Sequence, residues 1–512
     1  MKTEEIHSLL SDVLPAVDFN ADFLFTELDS LGIATILFVL SAKYHVQLDS
    51  EDVTPRNFKN VESIANLVRA KMSLENKIKQ YALTTPDKVA VVCGDDSLTY
   101  AQLWDAITRK AAELKAGGLK PQDPYVFRTN QNIDFIVTYC AVHSLKAVAV
   151  PVGHDATEEM FQAVKQEVEA FAFPAGIADS LFTTGTTGKS KGAMLSELSL
   201  TSSSENFVDR FPFSEDLCFI VSGPLNHIAS LFKIHPTLSA GGTVCIVDGL
   251  KDMNAFFKAF DLPFKEFAAF LVPASIRIIM QYSYEKLCSL ASRISFIETG
   301  AAPITKDDME RLSKALPHSH LYNGYGSTEF GSAAAYDFND GRYMEGCIGR
   351  PYKNVTIELA PDSTLVVSGP GVMSGYVNDE ENTRIVLADG KIHTSDTGYF
   401  DEEGLIHLTG RVGDVINVGG FKVNPIDVES VASSYPGIKD CICVAAKHPV
   451  IGQVLKLLVV TDGATPFDKH ALAVFIKSKM ESHKVPTMYE VVDAIKYTYN
   501  GKKDRKSYKV EG

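Results

Sequence analysis

The segment LFTTGTTGKSKGAMLS (residues 181–196) carries the most informative pattern in this chain of 512 residues. Within residues 183–192, threonines and glycines alternate and are followed by two lysines and a final glycine. Glycines let successive backbone N–H groups converge on an anion, threonine hydroxyls add neutral donors, and lysine adds positive charge. The segment therefore predicts a polyphosphate-binding loop. Its predicted ligand contacts are Thr183, Thr184, Gly185, Thr186, Thr187, Gly188 and Lys191.

Three competing interpretations of this loop make different demands on the chain. Residues 188–190 look like the end of a P-loop, but that motif needs a glycine where Thr183 stands. Residues 188–192 also match the Gly-x-Ser-x-Gly turn of serine hydrolases, with Ser190 as the nucleophile and a helix directly after it. A flexible linker is disfavoured because apolar segments flank the loop on both sides. The serine hydrolase therefore remains the alternative from a different enzyme class.

The composition limits the classes of protein to consider. The chain is too long for one hydrophobic core, which predicts two to four domains. A formal net charge of −15 disfavours nucleic acid as a partner. The apolar run Leu31–Leu40 is too short to cross a bilayer and lacks secretory features. The eight cysteines show no metal-binding spacing, so we expect reduced thiols and no zinc site. Together these features predict a cytoplasmic protein without an integral membrane segment.

The chain divides into three blocks. Residues 1–72 are acidic, and apolar residues recur at helical spacing between Ile33 and Tyr44. Residues 73–411 alternate short apolar strands with amphipathic helices, and residues 412–512 mix strands and helices. The predicted fold class is therefore α/β and multidomain, with a small helical bundle, a large α/β domain and a small α+β C-terminal domain.

Four motifs resemble, in order, those of the adenylate-forming enzyme superfamily, which includes acyl-CoA synthetases, adenylation domains and luciferases. The loop at 183–192 is similar to its phosphate loop, and NGYGSTE (323–329) to its Tyr-Gly-x-Thr-Glu segment. HTSDTGYFDEEGLIHLTGR (393–411) resembles the ribose-binding segment, and NGKKDR (500–505) the closing Gly-Lys-x-x-Arg motif. The resemblance covers about residues 73 to 512. It implies an enzyme that uses ATP and Mg²⁺ to convert a carboxylic acid into an acyl-adenylate.

The resemblance also implies roles for individual residues. Lys502 would stabilise the negative charge that develops on the α-phosphate. Glu329 would bind Mg²⁺, and Thr328 would contact the α-phosphate or the substrate carboxylate. Asp396 would accept hydrogen bonds from both ribose hydroxyls, and Tyr325 would stack on adenine. The other implied nucleotide contacts are Gly300, Ala301, Ala302, Gly326 and Arg411.

The segment PLNHIASLF (224–232) resembles the part of the family that lines the acyl pocket, with Asn226 and His227 as pocket residues. It lacks the aspartate with which amino-acid-activating members bind the α-amine, so the implied substrate is a non-amino, small-molecule carboxylic acid, either fatty or aryl. A thiol then attacks the acyl-adenylate. The residues matched to the thiol tunnel are Gly419, Gly420 and Lys422.

The N-terminal block contains a second resemblance. LDSLGIATIL (28–37) is similar to the Asp-Ser-Leu segment of acyl carrier proteins, which implies covalent 4′-phosphopantetheine at Ser30. An Asp-Ser pair before a helix is equally an ordinary N-cap, and that interpretation stays open. The main expectation is acyl transfer to Ser30-linked phosphopantetheine, in the same chain or in a neighbouring subunit of an oligomer. It implies a phosphopantetheinyl transferase and acyl-accepting enzymes as partners, whereas the alternative is an acyl-CoA ligase using free CoA.

Several positions depart from the family pattern. Ser190 replaces a proline of the phosphate loop, Ser395 replaces a glycine, Lys496 replaces a proline, and Gly413 stands at the hinge position. The stretch between PVGHD (151–155) and the loop is also short, so we expect the large domain to be trimmed at this point.

Overall fold

The computed structural model describes residues 3–44, 46–184, 190–249, 253–418, 421–448, 452–463, 466–498 and 503–508. Its N-terminal helices share a hydrophobic core whose buried members all lie between Ile6 and Val68. The predicted helix around Ile36 is confirmed, since Ile36 and Leu40 are fully buried in this core. The helices are α1 (Thr3–Val13), α2 (Leu24–Glu27), α3 (Ser30–Tyr44) and α4 (Val61–Lys71).

The middle of the chain alternates helices and strands, as the sequence predicted. Its helices are α5 (Leu74–Thr84), α6 (Tyr100–Ala116), α7 (Ile133–Ser144), α8 (Glu158–Glu169), α9 (Glu197–Arg210), α10 (Ile228–Ser239), α11 (Met253–Lys258), α12 (Pro273–Tyr282), α13 (Tyr284–Ser289), α14 (Lys306–Ala315) and α15 (Glu380–Val386). Its strands are β1 (Val89–Cys93), β2 (Asp96–Thr99), β3 (Pro124–Thr129), β4 (Val148–Gly153), β5 (Ile177–Thr184), β6 (Ser190–Ser196), β7 (Leu217–Val221), β8 (Thr243–Ile246), β9 (Glu266–Phe270), β10 (Ile294–Thr299), β11 (His320–Ser327), β12 (Gly331–Asp337), β13 (Cys347–Pro351), β14 (Thr356–Leu359), β15 (Thr364–Ser368), β16 (Leu387–Ala388), β17 (Lys391–Phe400) and β18 (Ile406–Arg411).

A large sheet forms the centre of this region, in the order β14-β15-β17-β18-β13-β12-β11-β10-β9-β7-β8-β1-β2. The strands from β1 through β8, β7, β9 and β10 to β11 run parallel. Both faces of these parallel strands are covered: along β7, Phe219 enters one hydrophobic core, and its neighbours Cys218 and Ile220 enter the other. This burial on both faces explains why the parallel strands read as continuous apolar runs in the sequence.

A second sheet, in the order β3-β4-β5-β6, positions the predicted phosphate loop. Strands β5 and β6 pair as an antiparallel hairpin, with Thr184 opposite Ser190, and residues 185–189 at its tip lie outside the described part. The P-loop and the hydrolase turn both need a helix directly after the motif, whereas Ser190 opens a strand. The structure therefore does not match either alternative.

A buried polar network ties β5 to the surrounding helices. The Asp179 carboxylate accepts a hydrogen bond from Tyr139 Oη at 2.8 Å and lies 2.7 Å from His143 Nε2. Glu75 Oε1 lies 3.2 Å from the other ring nitrogen of His143. Burial alone would lower the pKa of His143, but the two carboxylates outweigh it and raise that pKa to about 10. The charged network anchors the strand that leads into the phosphate loop.

The C-terminal region forms a smaller α+β unit, in agreement with the sequence. Its strands are β19 (Ile416–Val418), β20 (Phe421–Val423), β21 (Ile438–His448), β22 (Gly452–Thr461) and β23 (Met488–Val491), and its helices are α16 (Pro425–Ser433) and α17 (Lys469–Lys479). Asn424 caps α16 through its side chain and also donates a hydrogen bond to the Thr409 carbonyl across the junction. Cys441 and Cys443 are buried along β21. Within the described residues, no helix is both long and apolar enough to cross a membrane.

Candidate active site

Three predicted nucleotide-binding residues converge at the junction of β11, β17 and β18. Asp396 stands opposite Arg411 in the β17–β18 ladder, and the Arg411 Nε lies 2.5 Å from Asp396 Oδ1. The Tyr325 hydroxyl donates a hydrogen bond to Asp396 Oδ2 at 2.8 Å. Burial and the negative charge of Asp396 raise the pKa of Tyr325 well above its ordinary value. Asp396 is therefore held in a fixed orientation in the part of the site assigned to ribose.

The predicted metal residue Glu329 has a partner that the sequence did not reveal. The Tyr376 hydroxyl donates to Glu329 Oε1 at 2.8 Å, and the Lys191 ammonium lies 5.3 Å from the centre of the Tyr376 ring. Burial, together with Glu329, raises the pKa of Tyr376. The neighbouring backbone of residues 374–377 hydrogen-bonds to β6, immediately after the phosphate loop. Tyr376 thus links the edge of the phosphate loop to the carboxylate proposed to hold the metal.

Glycines flank Tyr325 on both sides and allow close approach of the backbone there. A Cβ atom on Gly300 would stand 2.8 Å from the carbonyl oxygen of Gly324, and one on Gly326 would stand 2.6 Å from the carbonyl oxygen of Gly331. Ala301, which follows Gly300, has φ of +64°, a left-handed conformation that is uncommon outside glycine. Such strain is concentrated at functional sites. The segment 300–302 therefore has the character of a tight ligand-binding turn next to Tyr325.

The residues assigned to the acyl pocket lie immediately before α10. His227 caps this helix, and its Nδ1 accepts from the Ala229 N–H at 3.4 Å. The side-chain oxygen of Asn226 is buried and accepts no hydrogen bond from the residues that the structure describes. Thr328, assigned to the α-phosphate or the carboxylate, is buried beside Glu329. Asn226 therefore offers an acceptor for a donor outside the described chain.

Some predicted residues cannot be placed. Those outside the described residues are Gly185, Thr186, Thr187, Gly188, Gly419, Gly420 and Lys502, and those whose side chains are not described are Thr183, Thr184 and Lys422. The neighbours of Lys502 are placed: Lys503 Nζ lies 3.2 Å from Asp440, and Arg505 pairs with Glu429 at 2.5 Å. Lys503 and Arg505 are thereby fastened to β21 and α16.

Ser30 is the first residue of α3 and is exposed. The preceding residue, Asp29, takes the capping role, since its Oδ1 accepts from the Gly32 N–H at 2.6 Å. The serine hydroxyl is therefore not the group that caps this helix.

Comparison with known proteins identifies the family. The protein-family model described as "AMP-binding enzyme" matches residues 78–175 and 174–377. A second family model, "AMP-binding enzyme C-terminal domain", matches residues 427–502. The chain belongs to the AMP-binding enzyme family. This membership, together with the relatives, supports the predicted class of an AMP-forming acid–thiol ligase. Residues 1–77 lie outside the matched ranges.

Among curated relatives, the chain is 28% identical to a feruloyl-CoA synthase of an Amycolatopsis species, over 82% of this chain and 95% of that protein. It is 26% identical to oxalate–CoA ligase of Arabidopsis thaliana, over 85% and 96% of the two chains. The ATP-bound structure of MatB from Rhodopseudomonas palustris superposes with a TM-score of 0.78 at 24% identity, covering 85% of this chain and 99% of MatB. That likeness supports the large α/β region and the smaller C-terminal unit.

Proposed function

We propose that this ligase activates a fatty or aryl carboxylic acid as its acyl-adenylate and transfers the acyl group to the thiol of free CoA. The convergence of Asp396, Tyr325 and Arg411 beside the Glu329–Tyr376 pair is the observation that carries the proposal. The two curated relatives described above are named as a CoA synthase and a CoA ligase, which favours CoA over Ser30 as the acceptor. From the sequence alone, Ser30-linked phosphopantetheine was the main expectation and free CoA was the alternative. The relatives favour the alternative.

In the proposed reaction, the Asp396 carboxylate accepts hydrogen bonds from the ribose and fixes the nucleotide. A carboxylate has about four lone-pair positions, so Asp396 can bind ribose while it keeps Tyr325 and Arg411. Glu329 suits Mg²⁺, which binds through one or two carboxylates and the substrate phosphates, because Tyr376 engages only one of its oxygens. The ion would neutralise phosphate charge. Thr328 and Lys191 would orient the α-phosphate, and Lys502 would stabilise the charge that develops on it.

A second acceptor is proposed at Ser30. The four N-terminal helices have their own core, Asp29 supplies the helix cap, and Ser30 is left exposed at the first turn of α3. Backbone N–H groups and the helix dipole at such a position favour an attached phosphate. We accordingly propose domain boundaries at 1–72, 73–411 and 412–512, with the first block as a carrier domain. Its loading would need a phosphopantetheinyl transferase.

Acid-dependent ATP–pyrophosphate exchange over fatty, aryl and amino acids tests the adenylation step. Thioester formation with CoA should then proceed equally in wild type and Ser30→Ala, because the proposed acceptor is in solution. The carrier proposal is tested by treating wild-type protein with a phosphopantetheinyl transferase and measuring its intact mass. The mass should increase by one phosphopantetheine group, and Ser30→Ala, the control, should show no increase. If none of the acids tested supports ATP–pyrophosphate exchange, the proposed function is contradicted. A Ser190→Ala variant should keep its activity, since a serine nucleophile has no part in this chemistry.

Replacing Tyr376 by phenylalanine should raise the Mg²⁺ concentration needed for half-maximal exchange by roughly tenfold. The change removes the hydroxyl that orients Glu329 but keeps the ring beneath Lys191, and a hydrogen bond to a charged group contributes about 1.5–3 kcal/mol. A Mg²⁺ titration of exchange measures the effect. Tyr336→Phe is the matched control, because its hydroxyl donates to Asp340 instead. An identical Mg²⁺ dependence in wild type and Tyr376→Phe would show that Tyr376 does not position Glu329.

A further inference from the structure

A carboxylate of the large domain holds the C-terminal unit at α16. Ser430 on α16 donates a hydrogen bond to Glu345 Oε2, and Glu345 lies just before β13 of the large domain. The other oxygen of this carboxylate, Oε1, accepts from the backbone N–H of Lys306 at 2.7 Å. Because Lys306 is the first residue of α14, one side chain joins α16 of the C-terminal unit to the start of α14 in the large domain.

In the large domain, this contact leads to the nucleotide side of the candidate site. Helix α14 begins soon after the turn at residues 300–302. A Cβ atom on Gly300 would stand 2.8 Å from the carbonyl oxygen of Gly324, so the turn lies directly against the residue before Tyr325. Glu345 is thereby connected to the backbone around the proposed adenine position.

In the C-terminal unit, α16 binds the residues that follow Lys502. Glu429, the neighbour of Ser430 on α16, pairs with Arg505 at 2.5 Å and lies 3.5 Å from Lys503 Nζ. Lys503 directly follows Lys502 in the sequence. Adjacent residues of one helix therefore contact the large domain and the segment next to Lys502.

A second carboxylate, Asp440, holds the residues on both sides of the segment that contains Lys502. Tyr497 and Lys503 pair with each other as an antiparallel bridge. The Tyr497 hydroxyl donates to Asp440 Oδ2 at 2.6 Å, and Lys503 Nζ lies 3.2 Å from Asp440 Oδ1. Since residues 498–502 connect Tyr497 to Lys503, whatever orients Asp440 also orients the attachment points of Lys502.

Arg277 of the large domain lies within electrostatic reach of Asp440. It is on α12, and the buried Asp308 of α14 orients it by accepting from its Nε at 2.8 Å. Burial alone would lower the pKa of Arg277, but Asp308 outweighs that effect. Tyr497 and Asp440 raise the pKa further, across the boundary between the two units. The guanidinium therefore attracts the carboxylate that holds both sides of the Lys502 segment.

We propose that Glu345 and Arg277 are positioning residues, which dock the C-terminal unit on the large domain so that Lys502 meets the α-phosphate. Glu345 fixes the unit through Ser430, and Arg277 fixes it through Asp440. Two contacts at different points resist a rotation that the chain junction alone would permit. The proposal rests on the proposed function and deepens it by naming the groups that orient its charge-stabilising lysine.

Ser430→Ala removes the first contact and little else, because Ser430 is partly exposed and alanine is favourable in a helix. The kcat of adenylation, measured by ATP–pyrophosphate exchange, should fall by about threefold, the effect of one weak hydrogen bond, while the KM for ATP stays unchanged. Ser434→Ala is the matched control and should exchange like wild type, since that hydroxyl donates to the Val431 carbonyl within the C-terminal unit.

The second contact is removed at Arg277. Because Arg277→Met alone would leave the buried Asp308 unpaired, it is combined with Asp308→Asn. This double variant should lower the kcat of adenylation by about tenfold, since a charged contact is stronger than a neutral one. Asp308→Asn alone is its control and should keep most of the activity, because it retains the charge of Arg277 and an acceptor for Nε.

The second half-reaction separates positioning from a general structural role. Thioester formation from supplied acyl-adenylate and CoA needs no charge stabilisation on an attacked α-phosphate, so its rate should stay within about twofold of wild type in Ser430→Ala and in the double variant. An equal loss of both steps, or a wild-type rate of adenylation in either variant, would overturn the inference and leave the proposed function standing. If wild type exchanges with none of the acids tested, both are contradicted.

Discussion

Replacing Asp396 by alanine should lower kcat/KM for ATP in acid-dependent pyrophosphate exchange by about 100-fold or more. The proposed role of this carboxylate is to accept hydrogen bonds from two ribose hydroxyls, and each hydrogen bond to a charged group contributes about 1.5–3 kcal/mol. The structure adds a second cause, because Tyr325 and Arg411 both hold their positions through Asp396. The loss should appear chiefly as a higher KM for ATP, measured by exchange at increasing ATP concentration.

Asp396→Asn is the control for this prediction. The amide keeps the size of the side chain and one acceptor oxygen, so a smaller loss of about tenfold is expected for the single charge-assisted hydrogen bond removed. Thermal melting of both variants separates nucleotide binding from general destabilisation. If Asp396→Ala melts like wild type and binds ATP with unchanged affinity, then Asp396 does not bind the ribose.

The parts of the fold that follow from local sequence were predictable. The parallel strands are apolar runs because both of their faces are buried, and α16 begins at Pro425 because Asn424 and proline are favourable at its first positions. The apolar segment after the phosphate loop forms the strand β6. The strand excludes the P-loop and the hydrolase turn, because both motifs match the sequence of the loop but require a helix directly after it.

The less predictable features depend on contacts between distant parts of the chain. Tyr376 and Glu329 are 47 residues apart, and the backbone pairing of residues 374–377 with β6 brings them together. Lys233 on α10 and Glu298 on β10 form a buried ion pair that no local pattern indicates, since each alone would be interpreted as an ordinary surface charge. The acyl acceptor could not be decided from the Asp-Ser-Leu segment, because the same three residues fit two interpretations. They can cap a helix through Asp29, or they can carry phosphopantetheine on Ser30.

Lys502→Ala should lower the kcat of adenylation by about 100- to 1000-fold, with little change in the KM for ATP. An ammonium placed against the charge that develops on the α-phosphate stabilises the transition state more than the bound substrate, and removal of one such group has effects of this size. Lys502 lies outside the described residues, but its neighbours Lys503 and Arg505 are fixed to Asp440 and Glu429.

The neighbouring lysine supplies the matched control. Lys503 pairs with Asp440 at 3.2 Å and contacts the Cys441 carbonyl, so Lys503→Ala should lower the free energy of unfolding by about 1–3 kcal/mol and affect adenylation less. Lys502→Ala should melt like wild type. It should also convert supplied acyl-adenylate and CoA into thioester at close to the wild-type rate, because the α-phosphate is no longer attacked. If Lys502→Ala slows that second step as much as the first, or keeps full exchange activity, then Lys502 does not stabilise the adenylation transition state.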